Sequence, residues 1–377
     1  MKIKNLLRIL IIVFFCWSLS VGVSAIESAY FEQQLEASGA DKLWDTLTAE
    51  DEELLEKLGI EKQNFDSVFD VSFRNIADFF YELIRGEYTY VINTLAVLLA
   101  AVLIVAAVNQ FVPEGSETAR ILDFISCVTA AVLLFNSISS CITNAVSAFS
   151  CSSNFIVALV PVLAAVITVS GLPALALTYN SLSFAAAQFV SYAAESFIVP
   201  LIRVVFSLSV ISSVSNALNI SRFVDFFKKV TAFIFTFSST VFITMLSMKG
   251  MLAAAADNVA VRGVRFLIGN IVPVVGGAVS DAYLSIVGTL NLVKSTVGVF
   301  AVAAVAVINL PVIIQCVLWI FSLNLLSVFS DVFSQNQLSR MFTSASSALT
   351  LLAVSVFFEM LVFLLSLGLV LVIKGGG

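Results

Sequence analysis

Histidine is absent from all 377 residues. That excludes hydrolases of the Ser-His kind and zinc proteases built on an HExxH helix. It also removes the usual neutral-pH general base and the commonest metal ligand. Charge is scarce: Asp, Glu, Lys and Arg make up 12% of the chain, against about 25% in a soluble domain. Such a chain cannot cover its surface in water with polar groups. Cysteine is sparse, five residues with no CxxC spacing, so neither a metal knuckle nor a disulfide framework is expected. No GxxxxGK[ST] loop occurs, so nucleotide hydrolysis by that route is excluded. There is no basic footprint for nucleic acid. Asp257 and Asp281 lack the Tyr-Asp and Gly-x-Gly-Asp contexts of intramembrane aspartyl proteases. The chain reads as non-enzymatic, with no cofactor and no metal.

What remains is apolar: 60% of residues are hydrophobic and mean hydropathy is +1.05. The charges that exist are segregated. Residues 26–90 hold 16 acidic and 5 basic side chains, whereas 91–377 hold 9 and 11. Before them, Lys2, Lys4 and Arg8 precede an apolar run from Ile9 to Val21 and a Val23-Ser24-Ala25 site, the three parts of a secretory signal. Residues 1–25 therefore read as a signal peptide cleaved after Ala25, the alternative being an uncleaved first membrane helix. Residues 26–90 form an acidic extracytoplasmic helical region. Thr48 is placed to cap a helix that Gly59 stops. A second amphipathic pattern runs from about Asn64 to Arg85, with Gly86 as its end.

Residues 91–377 form a polytopic membrane domain. Val91 to Val112 is a 22-residue uncharged span, and Phe124 to Ala194 leaves room for three more, punctuated near Ser150–Asn154 and at Ser170-Gly171-Leu172-Pro173. Val204 to Ser221, Val230 to Met248, Ser295 to Ser330 and Ala348 to Ile373 complete the apolar segments, with a polar loop from Asp331 to Ser347. Basic residues flank Val230–Met248 on both sides, so that segment is re-entrant or one flank departs from the positive-inside rule. The fold class is all-α: a polytopic helical membrane protein of about seven to nine spans with broken or re-entrant segments.

Five of the six prolines fall in or beside apolar segments. Pro161, Gly171, Pro173 and Pro311 mark broken-helix positions. Val160-Pro161-Val162 echoes Val272-Pro273-Val274, and paired broken segments point to a transporter-like centre. The stretch 262–299 departs furthest from a plain membrane helix. Pro273 removes a backbone donor, Gly276 and Gly277 follow, and Asp281 and Lys294 place charge where lipid penalises it. These five residues are the candidate conduit or gate. Asp281 reads either as a pore residue or as half of a structural ion pair with Lys294 or a neighbouring arginine. Glu195, Arg203 and Glu359 are further intramembrane charges, and Asp257 falls in a loop or at a helix end.

The signal, the acidic helical outer segment, the Val160-Pro161-Val162 to Ser170-Gly171 stretch and, above all, the run from Arg265 through Pro273 to Gly277 with Ser280-Asp281-Ala282 resemble stage III sporulation protein AE. The resemblance covers most of 90–373 and is strongest at 262–299. It implies a multi-pass subunit in the mother-cell membrane around the forespore, part of a channel-like or secretion-like complex needed for late forespore development. The implied partners are the other stage III sporulation A proteins, including a secretion-type ATPase and ring-forming subunits, and indirectly stage II sporulation protein Q. Two other readings of the same residues stand beside it. One is an autonomous secondary transporter using Asp281 or Glu359 as a proton site, and the other is a purely structural membrane scaffold.

Overall fold

The computed structural model describes residues 34–62, 65–113, 116–214, 220–271 and 276–372. The expected signal peptide at 1–25 and Pro273 lie outside these residues. Among the described residues the fold is all-helical, with no β-strand.

The acidic region is built from two 3-10 turns, Ala40–Thr46 and Phe65–Phe69, around α1 (Ala49–Lys57). α1 starts where Thr48 and Asp51 form a reciprocal capping box, each side chain bonded to the other's backbone N–H at 3.2 Å. Gly59 then turns the chain at φ 87°, a left-handed position that favours glycine. Lys57, bonded to Glu53 and Glu82 at 2.9 and 3.0 Å, has its pKa raised by those hydrogen bonds.

α2 (Phe73–Asn109) begins at the Ser72 cap and runs through Gly86 and residue 90, so one helix joins the acidic region to the apolar body. Gly86 does not end it. The remaining helices are α3 (Glu117–Val169), α4 (Pro173–Ala193), α5 (Val199–Val214), α6 (Ile220–Ile271), α7 (Gly276–Val332) and α8 (Asn336–Val372). A π-helical turn, Ala194–Ile198, joins α4 to α5. α3 passes without a break through Ser150–Asn154 and through Pro161, and α7 passes through Pro311. By contrast, Gly171 at φ 87° and Pro173 at the first position of α4 do form a turn. The polar stretch 331–347 is not a loop: only residues 333–335 lie outside helix before α8 starts.

Hydrogen bonds fix the register. Ser327 bonds Ser339 and Thr343, each at 2.9 Å, and Asn324 accepts from Ser346 at 3.2 Å. At the far end Gly298 lies against Leu371. α8 is therefore antiparallel to α7 from Gly298 onward. α3 is antiparallel to α7 as well, with Asn144 opposite Gln315 and Ser152 opposite Asn309.

Among the described residues five helices are long and apolar enough to cross a membrane: Phe73–Asn109, Glu117–Val169, Lys229–Asp257, Gly288–Val332 and Asn336–Gly368. At 1.5 Å per residue, 53 residues of α3 rise ~80 Å, more than twice the ~30 Å of a bilayer's hydrocarbon core. The exposed face of α3 changes character along that length. It presents Ile121, Phe124, Ile125, Val128, Val132 and Phe135, then Asn136, Thr143, Asn144, Ser147, Ser150 and Asn154. The acidic region packs beside that second half.

Candidate functional site

The polar half of α3 meets α7, α2 and the acidic region at a waist midway along the bundle. Apolar packing sets the position. Trp44 stacks on Phe300 of α7 with ring centroids 5.2 Å apart, Phe65 meets Phe300 at 5.2 Å, and Phe155 of α3 meets it at 6.2 Å. Trp44, Phe155 and Phe300 are buried at 1% exposure or less, so these rings clamp the acidic region to the helices.

Beside the clamp lies a cavity of about 140 Å³ lined by side chains from Thr48 to Gln315, including Glu50, Asp51, Glu87, Asn144, Ser147 and Cys151. This is room for roughly four or five waters. Its wall carries two separate hydrogen-bonded groups. Gln315 donates to Glu87 at 3.2 Å and accepts from Asn144 at 3.0 Å. The Cys151 thiol points at Asp51 Oδ2, 3.6 Å away. Nearly two turns along α7, Asn309 donates to Ser152 at 2.8 Å and to the Val305 carbonyl at 2.9 Å, while its side-chain oxygen has no partner among the described residues. Pro311 lines the same cavity and frees a carbonyl one turn earlier in α7. Asp51, Asn309 and Gln315 are buried, Glu87 is half-buried and Asn144 is exposed; the buried groups are costly unless they are hydrated or paired. The arrangement can hold water and cations. Among the described residues no cluster of three or more metal-ligating side chains occurs.

A second buried polar contact holds the upper turn. Asp257, in the middle of α6 rather than in a loop, accepts hydrogen bonds from the backbone N–H groups of Ala174 and Leu175 at 3.1 and 2.9 Å. A carboxylate at the start of α4 satisfies orphan donors and complements the helix dipole.

The sequence-selected residues separate. Gly276 and Gly277 open α7, while the side chain of Asp281 lies outside the described residues, as does Pro273. Lys294 is buried within α7. Glu195 falls in the π-helical turn, Arg203 is exposed on α5, and Glu359 is fully buried on α8. Pro161 lies exposed on α3, and Gly171 and Pro173 form the turn that Asp257 caps. Among the described residues Cys127, Cys141, Cys151 and Cys316 form no disulfide, and Cys141 neighbours Cys316 rather than Cys151.

Sequence reading passed over the waist itself. Asn309 and Gln315 bracket Pro311 within an otherwise apolar run, and Asn144 sits in another. Amides at such positions were the available signal.

The family model described as stage III sporulation protein AE matches residues 52–374. A relative of that name from Bacillus subtilis (strain 168) is 24% identical over 207 residues, covering 55% of this chain and 52% of the relative. The matched region thus spans about half the length of that relative. No solved structure matches the chain.

Proposed function

The chain belongs to the stage III sporulation protein AE family, and on that premise we propose that it is a non-enzymatic membrane subunit of a channel or secretion-like complex joining mother cell and forespore. In this reading it acts in the mother-cell membrane around the forespore, with its acidic N-terminal region outside the cytoplasm. Its partners are the other stage III sporulation A proteins, with a secretion-type ATPase and ring-forming subunits among them, and through these stage II sporulation protein Q.

The observation that carries the reading is the waist: the hydrogen-bonded set of Glu87, Gln315 and Asn144, with Asp51 and Cys151 beside it, lines one cavity among helices that are long and apolar enough to cross a membrane. A scaffold that only held other proteins would gain more from apolar packing there, because buried polar groups give little net stability. A water-accessible interior explains them. The broken stretch 262–299, with Pro273, Gly276, Gly277, Asp281 and Lys294, supplies the gate in this account.

Cysteine substitutions at Asn144, Gln315 and each position from 270 to 285 test it in native membranes with a charged, water-soluble maleimide. The proposal expects reaction at Asn144, Gln315 and one periodic set of positions in 270–285. Uniform protection at all of them contradicts a water-lined path.

A further inference from the structure

Glu359 is the most deeply buried charge-bearing side chain of α8, at 0% exposure, and neither carboxylate oxygen has a hydrogen-bond partner among the described residues. It lines a cavity of about 360 Å³ between α4, α6 and α8, separate in its lining from the waist. The other walls are apolar, with Leu182, Phe189, Phe237, Phe242 and Phe358 prominent, and Ser238 is the one other polar residue in the lining. The cavity opens sideways past Phe189, Phe237, Val241 and Met245, all more than a third exposed.

We propose that this cavity binds a hydrophobic organic cation, whose ammonium group draws the Glu359 carboxylate out of its packed position into the cavity while its hydrocarbon body lies among the phenylalanines. Three features of the site select that chemistry. First, an isolated carboxylate is too costly to bury, and protonation alone still leaves a hydroxyl and a carbonyl without partners, whereas an ammonium donor satisfies both oxygens. Second, phenylalanine faces attract cations, and four rings stand in one wall set with the carboxylate. Third, the volume fits roughly a dozen water-sized groups, enough for a small amine and too little for a partner helix about 10–12 Å across. The same head chemistry is offered by a free amine and by an ethanolamine lipid. The inference does not depend on the channel reading, since it concerns a different cavity.

The test uses the full chain in phosphatidylcholine nanodiscs, with 4-phenylbutylammonium as probe and titration calorimetry as readout, corrected for empty discs. Uncharged 4-phenylbutanol and anionic 4-phenylbutyrate are the matched controls. The ammonium is expected to bind at least about tenfold more tightly than the alcohol, as a charge-assisted hydrogen bond requires, and the carboxylate to bind least. Glu359→Gln should erase the ammonium's advantage. Ala186→Phe, which fills the cavity and leaves the carboxylate in place, should weaken ammonium and alcohol alike. Phosphatidylethanolamine in the discs distinguishes the sources: competition with the probe supports the lipid head group, and unchanged affinity supports a free amine. Equal affinity for the three compounds, an advantage that survives Glu359→Gln, or a cavity filled by a lysine-bearing helix of a co-purifying protein overturns the proposal.

Discussion

Replacing Asp257 with alanine removes the acceptor for two backbone N–H groups at the start of α4, those of Ala174 and Leu175, at 3.1 and 2.9 Å. Asp257 is buried at 5% exposure, and Leu175 at 1%, so water does not readily replace the carboxylate. Leaving a buried donor unsatisfied costs ~1–3 kcal/mol, and loss of the charge–dipole term adds up to ~1–2 kcal/mol in a partly buried site. Pro173, at the first position of α4, has no N–H to lose, so the penalty falls on two donors. With partial relaxation the alanine variant should be destabilised by about 2–3 kcal/mol. Asp257→Asn keeps one acceptor oxygen and should lose about 1 kcal/mol. The native thiols provide the assay. Cys127, Cys141 and Cys316 are buried and form no disulfide among the described residues, so their labelling during a thermal ramp in mild detergent reports opening of the bundle. The alanine variant should label at a midpoint roughly 5 °C below the parent, with the asparagine variant between them. Midpoints for both variants within a degree of the parent would refute the capping argument.

Trp44→Ala removes the ring that stacks on Phe300. Large-to-small changes of buried aromatics cost ~3–5 kcal/mol, which should undock the acidic region and expose residues 34–69 to limited proteolysis while α3 to α8 stay protected. Gln315→Leu leaves Glu87 and Asn144 without their shared partner. It should lower stability by ~1–3 kcal/mol, whereas pairing it with Asn144→Leu should recover part of that loss in a double-mutant cycle. Gly298→Ala drives a methyl group into Leu371. Overpacking of this kind costs ~1–3 kcal/mol, and Leu371→Ala in the same chain should relieve it, read as the thermal midpoint of the pair against the single variant.

The local signals in the sequence were legible where a few neighbouring residues decide the outcome. Thr48 and Asp51 make the capping box, Gly59 stops α1, and Gly171 with Pro173 turns the chain. Helix length was harder to read. Gly86, Pro161 and Pro311 each signal a stop, yet packing against neighbouring helices carries α2, α3 and α7 past them. The stretch 331–347 looked like a loop because of its polar residues, but Ser339, Thr343 and Ser346 direct their hydroxyls to Ser327 and Asn324 on α7. Asp257 was illegible for a plainer reason: its partners lie 82 and 83 positions away, and no local pattern announces a cap supplied from another helix. The waist shares that difficulty, since Glu87 and Gln315 are 228 positions apart. Glu359 stood out within its apolar run, but the phenylalanines around it come from three helices.

Affinity capture of the tagged full-length chain from sporulating cells, with solubilised membranes analysed by mass spectrometry, tests the central claim most directly. The account predicts recovery of the other stage III sporulation A proteins at levels that depend on residues 26–90 and persist after stringent washing. Recovery of the chain by itself, from cells in which those proteins are present in the same membrane, would contradict it.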